Sequence, residues 1–123
     1  MRLLESGEMY LETILVLSHK LKRVRAIDVG EYMGYSKPSV SRALANLREG
    51  GYVIVDADGH LSLTETGLAS ASKIYERHRV LTELLVSIGV PENIAANDAC
   101  KIEHDLSPKT FQCLKEHFQK LSK

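Results

Sequence analysis

The sequence predicts a mostly α-helical protein whose first half ends in a β-hairpin and whose second half is helical throughout. Apolar residues recur at helical spacing within residues 6–19, which indicates an amphipathic helix. Two short β-prone runs, residues 53–55 and 61–63, flank an Asp-Gly turn and predict the hairpin. The helical pattern returns at residue 64. With 44% apolar and 26% charged residues among 123, the composition is that of an ordinary globular protein and excludes a disordered or collagen-like chain.

The first half is predicted to hold two more helices between the first helix and the hairpin. Residues 26–33 form the second helix, which Gly34-Tyr35 ends. Ser36 stands where an N-cap belongs and Pro38 follows in the first turn, so a third helix is expected to run to about residue 49. This order of helix, helix, tight turn, helix and hairpin is typical of a winged helix-turn-helix.

The second half is predicted to be an all-helical domain. Its three helices are expected at about residues 64–88, 91–104 and 108–121, separated by segments that contain Gly or Pro. The predicted domains are therefore residues 1–63 and residues 64–123. Because the second domain is too short for a substantial core of its own, we expect it to pack against a second copy in a homodimer.

Charge is balanced over the whole chain but unevenly distributed. The sequence has 16 basic and 16 acidic residues, yet residues 20–48 hold seven basic residues against two acidic ones. A locally basic stretch on a neutral chain is expected of a nucleic-acid-binding face carried by one domain. A solvated charged surface is the alternative interpretation of the same stretch.

The compartment is predicted from what the sequence lacks. No apolar run approaches the ~18 residues of a membrane-spanning helix, and the first residues lack the apolar core of a signal peptide. Two cysteines are too few for a disulfide framework. We therefore expect a cytoplasmic protein without a membrane partner.

The outer face of the predicted third helix suits a DNA groove. Short side chains at its N-terminal end allow close approach to the major groove, and longer ones can donate to bases or phosphates. Free amides at a helix start also favour a phosphate. The candidate residues for binding double-stranded DNA are Arg25, Ser36, Lys37, Pro38, Ser39, Ser41 and Arg42.

Potential metal ligands recur at helical spacing in both halves. Cys100, Glu103 and His104 stand at i, i+3 and i+4, which gathers a thiolate, a carboxylate and an imidazole on one helical face. The further candidates are Met9 and Glu12 on the first helix and His78 in the long helix, although each alone is compatible with a structural role. Cys113 and His117 are interpreted as structural or solvent-facing residues.

Five segments carry a family resemblance that covers nearly the whole chain. They are residues 8–14 (EMYLETI), 36–41 (SKPSVS), 63–67 (LTETG), 77–79 (RHR) and 98–107 (DACKIEHDLS). In these segments the chain resembles the iron- and manganese-dependent repressors, the family of the diphtheria toxin repressor and the manganese transport regulator. The resemblance implies a dimeric winged-helix repressor of metal homeostasis genes. In that family a divalent metal ties the N-terminal helix to the dimerisation helices. This tie fixes the two recognition helices of the dimer at a spacing that suits a palindromic operator.

The resemblance also implies a set of metal ligands. Residues matching the primary site of the iron-type branch are Met9, Cys100, Glu103 and His104, while Glu12 matches a carboxylate ligand of the manganese-type branch and His78 an imidazole used in both. Since thioether and thiolate ligands favour softer ions than Mn²⁺, we expect Fe²⁺, with Mn²⁺, Co²⁺, Ni²⁺ or Zn²⁺ also able to bind.

Some positions depart from the family pattern. Thr82 stands where the iron-type branch has a glutamate of its ancillary site, and Ala96 stands where it has an ancillary histidine. A complete second site of the iron type is therefore not expected, whereas Glu12 and His78 could support a second ion of the manganese type. The chain ends at Lys123 without an SH3-like domain, which resembles the two-domain manganese regulators.

Two functions of other classes use Cys100 differently. The first is a metal-independent redox regulator of the same fold, in which Cys100 is a reactive thiol beside His104. The second is an enzyme with Cys100 as nucleophile and His104 as base, but no oxyanion element or substrate domain is evident in the sequence. The chain is therefore predicted not to be an enzyme.

Overall fold

The computed structural model describes residues 5–121, so the outer ends of the two predicted domains, residues 1–4 and 122–123, lie outside the described residues. The elements in chain order are α1 (Glu5–Lys20), β1 (Val24–Arg25), α2 (Ala26–Met33), α3 (Lys37–Glu49), β2 (Val53–Val55), β3 (His60–Leu63), α4 (Glu65–Ser87), α5 (Glu92–Ile102) and α6 (Pro108–Leu121). The predicted class, mostly α with a small sheet, is confirmed. None of the helices described in residues 5–121 combines the length and apolar character that crossing a bilayer requires.

Two compact units, Met1–Ser72 and Lys73–Lys123, divide the chain within α4. The predicted change of domain after residue 63 remains a prediction. The first unit buries the apolar faces of its helices together with inward side chains of its sheet. Its buried apolar residues are Tyr10, Leu11, Ile14, Leu15, Leu17, Val24, Val29, Val40, Leu44, Leu47, Val53, Leu61 and Ala71.

A three-stranded antiparallel sheet of order β1-β3-β2 belongs to the first unit. The predicted hairpin forms β2 and β3, in register at Val53 and Leu63. Strand β1 was not expected, since no helix or strand is predicted between the first helix and residue 26. It pairs with β3 by placing Arg25 opposite His60. A two-residue strand is too short to show a periodic pattern. Its conformation is therefore determined by pairing with β3 and not by its own sequence.

The turn between α2 and α3 positions the start of α3. Gly34 adopts a left-handed conformation with φ of 74°, and its N–H donates to the Gly30 carbonyl at 2.8 Å. The Oγ of Ser36 accepts from the Ser39 N–H at 3.4 Å, which confirms Ser36 as the N-cap. The two helices and the hairpin thus follow each other as a winged helix-turn-helix requires.

The second unit contains the end of α4 together with α5 and α6. Its buried apolar residues are Ile74, Val80, Leu81, Ala95, Ala99 and Phe111. Helix α6 has the predicted bounds, whereas α5 is shorter than predicted at both ends. Gly89, with φ of 104°, provides the reversal between α4 and α5.

Candidate functional site

Glu103 is a buried carboxylate just beyond the end of α5, with 0% of its surface exposed. The prediction that one helix carries Cys100, Glu103 and His104 is wrong at its C-terminal end, because α5 ends at Ile102. Glu103 nevertheless keeps helical angles (φ −60°, ψ −28°), and its N–H donates to the Ala99 carbonyl at 2.9 Å. Its backbone therefore stays in phase with the helix that carries Cys100.

Two imidazoles flank the Glu103 carboxylate. The Nδ1 of His78, on α4, lies 3.0 Å from Oε2, and the Nε2 of His104 lies 3.3 Å from Oε1. The His104 side chain is only 1% exposed, whereas that of His78 is 31% exposed. The second unit thus brings together three of the six predicted ligands in a largely buried cluster. Imidazole and carboxylate donors at this separation suit a divalent transition metal.

The other three predicted ligands are carried by α5 and α1. Cys100 is half-buried and lies one helical turn before Glu103. Within residues 5–121, the donor atoms of Cys100, Glu103 and His104 do not all lie within 4.8 Å of one another. Met9 and Glu12 are half-buried on α1, where a spacing of three residues puts them on neighbouring positions of one face.

A buried arginine supports the turn that carries the cluster. Nη1 of Arg77 donates to the backbone carbonyls of Glu103 at 3.0 Å and Leu106 at 2.9 Å. Its guanidinium also lies 5.4 Å from the centre of the Phe111 ring. In the sequence Arg77 belongs to the family segment 77–79, and no role is predicted for it.

The predicted DNA-binding residues lie on the exposed side of α3. Val40, Leu44 and Leu47 are buried, which turns the opposite side of the helix to solvent. That side includes five exposed candidates and the half-buried Ser39. The exposed ones are Ser36, Lys37, Pro38, Ser41 and Arg42.

Arg25 is linked to the wing formed by β2 and β3. An Nη2 atom of Arg25 lies 3.2 Å from Nε2 of His60, and the other ring nitrogen of His60 lies 3.2 Å from Asp56. Backbone N–H groups of His60 and Asp58 both donate to Oδ1 of Asp56 at 2.9 Å. These hydrogen bonds hold the pKa of Asp56 below its usual 3.8, and the one from the His60 amide has the largest effect. Slight desolvation raises the pKa, but its effect is smaller than that of the hydrogen bonds together.

Two family models together match nearly the whole chain. Residues 2–61 match the N-terminal DNA binding domain of iron dependent repressors, and residues 64–123 match their metal binding and dimerisation domain. The chain belongs to the iron-dependent repressor family.

Individual relatives support this assignment to the iron-dependent repressor family. The iron-dependent repressor IdeR of Mycobacterium tuberculosis is 35% identical over 106 residues, which are 85% of this chain and 46% of that protein. An uncharacterized HTH-type transcriptional regulator of Methanocaldococcus jannaschii is 30% identical over 118 residues, 94% of either chain. A solved manganese-dependent transcriptional repressor in complex with manganese is similar with a TM-score of 0.82 and 26% identity, over 90% of this chain and 51% of that chain.

The chain spans about half the length of the curated iron-dependent repressors that it matches. The matched part comprises the DNA binding domain and the metal binding and dimerisation domain of the family.

Two features of this family member escaped sequence reasoning. Arg77 shows only as a charged residue beside His78, and nothing in the spacing indicates that it is 6% exposed. The contact between Arg25 and His60 depends on β1, which has no pattern of its own. The one available signal for Arg77 is its position at helical spacing from the apolar residues Ile74 and Leu81.

Proposed function

We propose that this chain is a metal-dependent transcriptional repressor that binds a palindromic operator as a homodimer. A divalent metal activates it, with Fe²⁺ as the preferred ion, and its targets are metal homeostasis genes. The supporting matches are the two family models, whose descriptions combine DNA binding, metal binding and dimerisation. Members of the family are repressors rather than enzymes. Access to chromosomal DNA in turn implies that the protein works in the cytoplasm.

The observation that carries the metal part is the environment of Glu103. Burying a carboxylate is costly unless a counter-charge or hydrogen bonds compensate it. Among the described residues Oε1 of Glu103 accepts no hydrogen bond, although an imidazole nitrogen lies 3.3 Å away. A divalent cation would supply the missing compensation, so the residues present fit a metal. The ion itself supplies positive charge and a template for ligands.

The proposed ligands combine this cluster with residues identified by resemblance: Met9, Glu12, His78, Cys100, Glu103 and His104. Met9 and Cys100 bring sulfur donors, which support Fe²⁺ over Mn²⁺. The family's metal range includes both ions, so the preference for Fe²⁺ depends on these two residues alone.

The proposed DNA face is the exposed side of α3 together with Arg25. Short hydroxyl side chains at the start of α3 permit close approach to a groove, and Lys37 and Arg42 supply cationic donors. The seven basic residues between positions 20 and 48 support binding to phosphates. The proposed set is Arg25, Ser36, Lys37, Pro38, Ser39, Ser41 and Arg42.

If metal and DNA binding are coupled, each must strengthen the other by the same factor. A coupling of about 1–3 kcal/mol, typical of allosteric proteins, corresponds to roughly 5–150-fold in affinity. We expect metal to tighten DNA binding within this range.

The test is an anaerobic Co²⁺ titration of reduced protein carrying Cys113→Ser, so that only Cys100 can give a thiolate-to-cobalt absorption band. DNA affinity is measured by fluorescence anisotropy with and without the metal. The band is expected to saturate and to vanish in Cys100→Ser. Glu103→Gln should weaken Co²⁺ binding about tenfold or more, while Glu92→Gln, an exposed position on α5, should leave it unchanged. DNA affinity that does not respond to any divalent metal would contradict the proposal.

A further inference from the structure

The metal-ligand motif of residues 100–104 occurs a second time in the chain. Cys113, Glu116 and His117 repeat the spacing Cys-x-x-Glu-His on α6. Cys113 and His117 are interpreted above as structural or solvent-facing residues, but Glu116 completes the same triplet between them. No ligand set implied by the family resemblance includes any of these three residues.

Contacts to α4 within the second unit fix the rotation of α6. Phe111 is buried, and the guanidinium of Arg77 lies 5.4 Å from the centre of its ring. One turn further on, Nζ of Lys115 forms an ion pair with Glu76 at 3.2 Å. Positions 111 and 115 therefore face α4. Residues Cys113, Glu116 and His117 are exposed.

Helix geometry places the three side chains on neighbouring positions. Helix α6 runs without interruption from Pro108 to Leu121, so the whole triplet lies in regular helix, unlike residues 100–104. Residues at i, i+3 and i+4 have Cβ atoms about 5–6 Å apart. A pair of ligands at i and i+4 on one helix is a common way to hold Zn²⁺.

The donor chemistry selects a class of ion. Thiolate, imidazole and carboxylate are the ligands of four-coordinate Zn²⁺ sites, and Co²⁺ accepts the same set. Cys113 is a free thiol. Glu116 now accepts a hydrogen bond from Gln112 at 2.9 Å, an exposed contact that the carboxylate can exchange for an ion. Within residues 5–121 the three donor atoms do not all lie within 4.8 Å of one another, so the side chains must rotate to converge. Exposed side chains reach new rotamers quickly.

We propose that Cys113, Glu116 and His117 bind one thiophilic divalent ion, such as Zn²⁺ or Co²⁺, on the exposed side of α6. Water fills the remaining coordination position. The site is separate from the cluster around Glu103, and the inference does not depend on the proposed repressor function.

The test uses full-length reduced protein with Cys100→Ser, in which Cys113 is the only thiol. Anaerobic Co²⁺ titration should produce a saturable thiolate-to-cobalt band that is lost when Cys113→Ser is added. His117→Ala and Glu116→Gln, each added to Cys100→Ser, should weaken the binding that gives this band by about tenfold or more. The matched control is Glu92→Gln, the same substitution at an exposed position on α5, which should not change the titration.

Circular dichroism on each variant verifies that α6 still folds, as expected for exposed substitutions. A Cys100→Ser protein without a thiolate band would overturn the proposal. A band that is insensitive to both His117→Ala and Glu116→Gln would overturn it as well, because the thiol would then bind cobalt without the triplet. DNA binding has no part in either result, so failure here is distinguishable from failure of the repressor function.

Discussion

The Nη1 atom of Arg77 donates to the backbone carbonyl of Glu103 at 3.0 Å and also to the carbonyl of Leu106 at 2.9 Å. Both carbonyls lie beyond the last residue of α5, so neither has a partner within that helix. A side chain from α4 therefore satisfies two backbone acceptors in the turn between α5 and α6. Since Glu103 and His104 lie in this turn, Arg77 positions two proposed metal ligands through their backbone.

Replacing Arg77 by Met is expected to destabilise the protein by about 1–3 kcal/mol, because two carbonyls at the turn lose their charged donor. Urea unfolding measures this loss. Arg77→Lys should retain part of the stability, since an ammonium can still donate, although without the fork of a guanidinium.

Arg79→Met provides the control, because Arg79 is exposed on the same helix and should change stability by less than about 0.5 kcal/mol. Co²⁺ affinity should fall in Arg77→Met and recover partly in Arg77→Lys under conditions where both remain folded. Equal metal affinity in folded Arg77→Met and wild type would show that the arginine does not position the ligands.

The sulfur ligands provide a prediction about metal preference. Replacing both Met9 and Cys100 by Asp should shift activation of DNA binding from Fe²⁺ toward Mn²⁺, because oxygen donors suit the harder ion. The measurement is DNA affinity titrated with each metal under anaerobic conditions. Ser72→Asp, which adds a carboxylate at an exposed position of α4, is the control and should leave the preference unchanged. Unchanged preference in the double variant would refute the role of the two sulfurs.

Most helices could be predicted because each has a local signal. Ser36 and Pro38 mark the start of α3, and the apolar spacing of Val40, Leu44 and Leu47 marks its buried face. The hairpin was equally predictable from its Asp-Gly turn, in which Gly59 has φ of 82°. Strand β1 was not predictable, since two residues carry no period and their pairing depends on the distant residue His60.

The candidate site was predictable in its chemistry and less so in its geometry. Helical spacing identified Glu103 and His104, but it could not indicate that α5 ends at Ile102. Nor could spacing place His78 at 3.0 Å from Glu103, because 25 residues separate them in sequence. Here the family resemblance, rather than periodicity, brought His78 into the ligand set.

The wing provides a prediction about pH. Hydrogen bonds from backbone amides hold the pKa of Asp56 below 3.8, so its ionised form stabilises the folded turn. This contribution is present above the unfolded pKa and is lost as the pH falls through the folded pKa. In an NMR titration, the amide signals of Asp58 and His60 should therefore shift with a midpoint below pH 3.8. Asp56→Asn should abolish this titration, and a midpoint above 3.8 in the wild type would contradict the assignment.

Gly67 is expected to tolerate no side chain, although it lies in the first turn of α4, where alanine is the better helix former. A Cβ at this position would collide with the backbone carbonyl of Tyr52. Thr64 fixes this approach, since its N–H donates to the Tyr52 carbonyl at 3.1 Å and its Oγ1 accepts from the Gly67 N–H at 3.0 Å. Gly67→Ala should therefore cost about 1–3 kcal/mol of the free energy of unfolding, as overpacking does.

The matched substitution is Gly30→Ala in α2, where a Cβ would meet its nearest atom, the Tyr35 carbonyl oxygen, at 3.4 Å. This is close to ordinary contact, so the gain in helix propensity, up to about 1 kcal/mol, should dominate and leave the protein equally or more stable. Urea unfolding of both variants compares the same chemical change in two helices of the first unit. Equal effects of the two substitutions would mean that backbone entropy, rather than the close approach of Tyr52, determines the need for glycine at position 67.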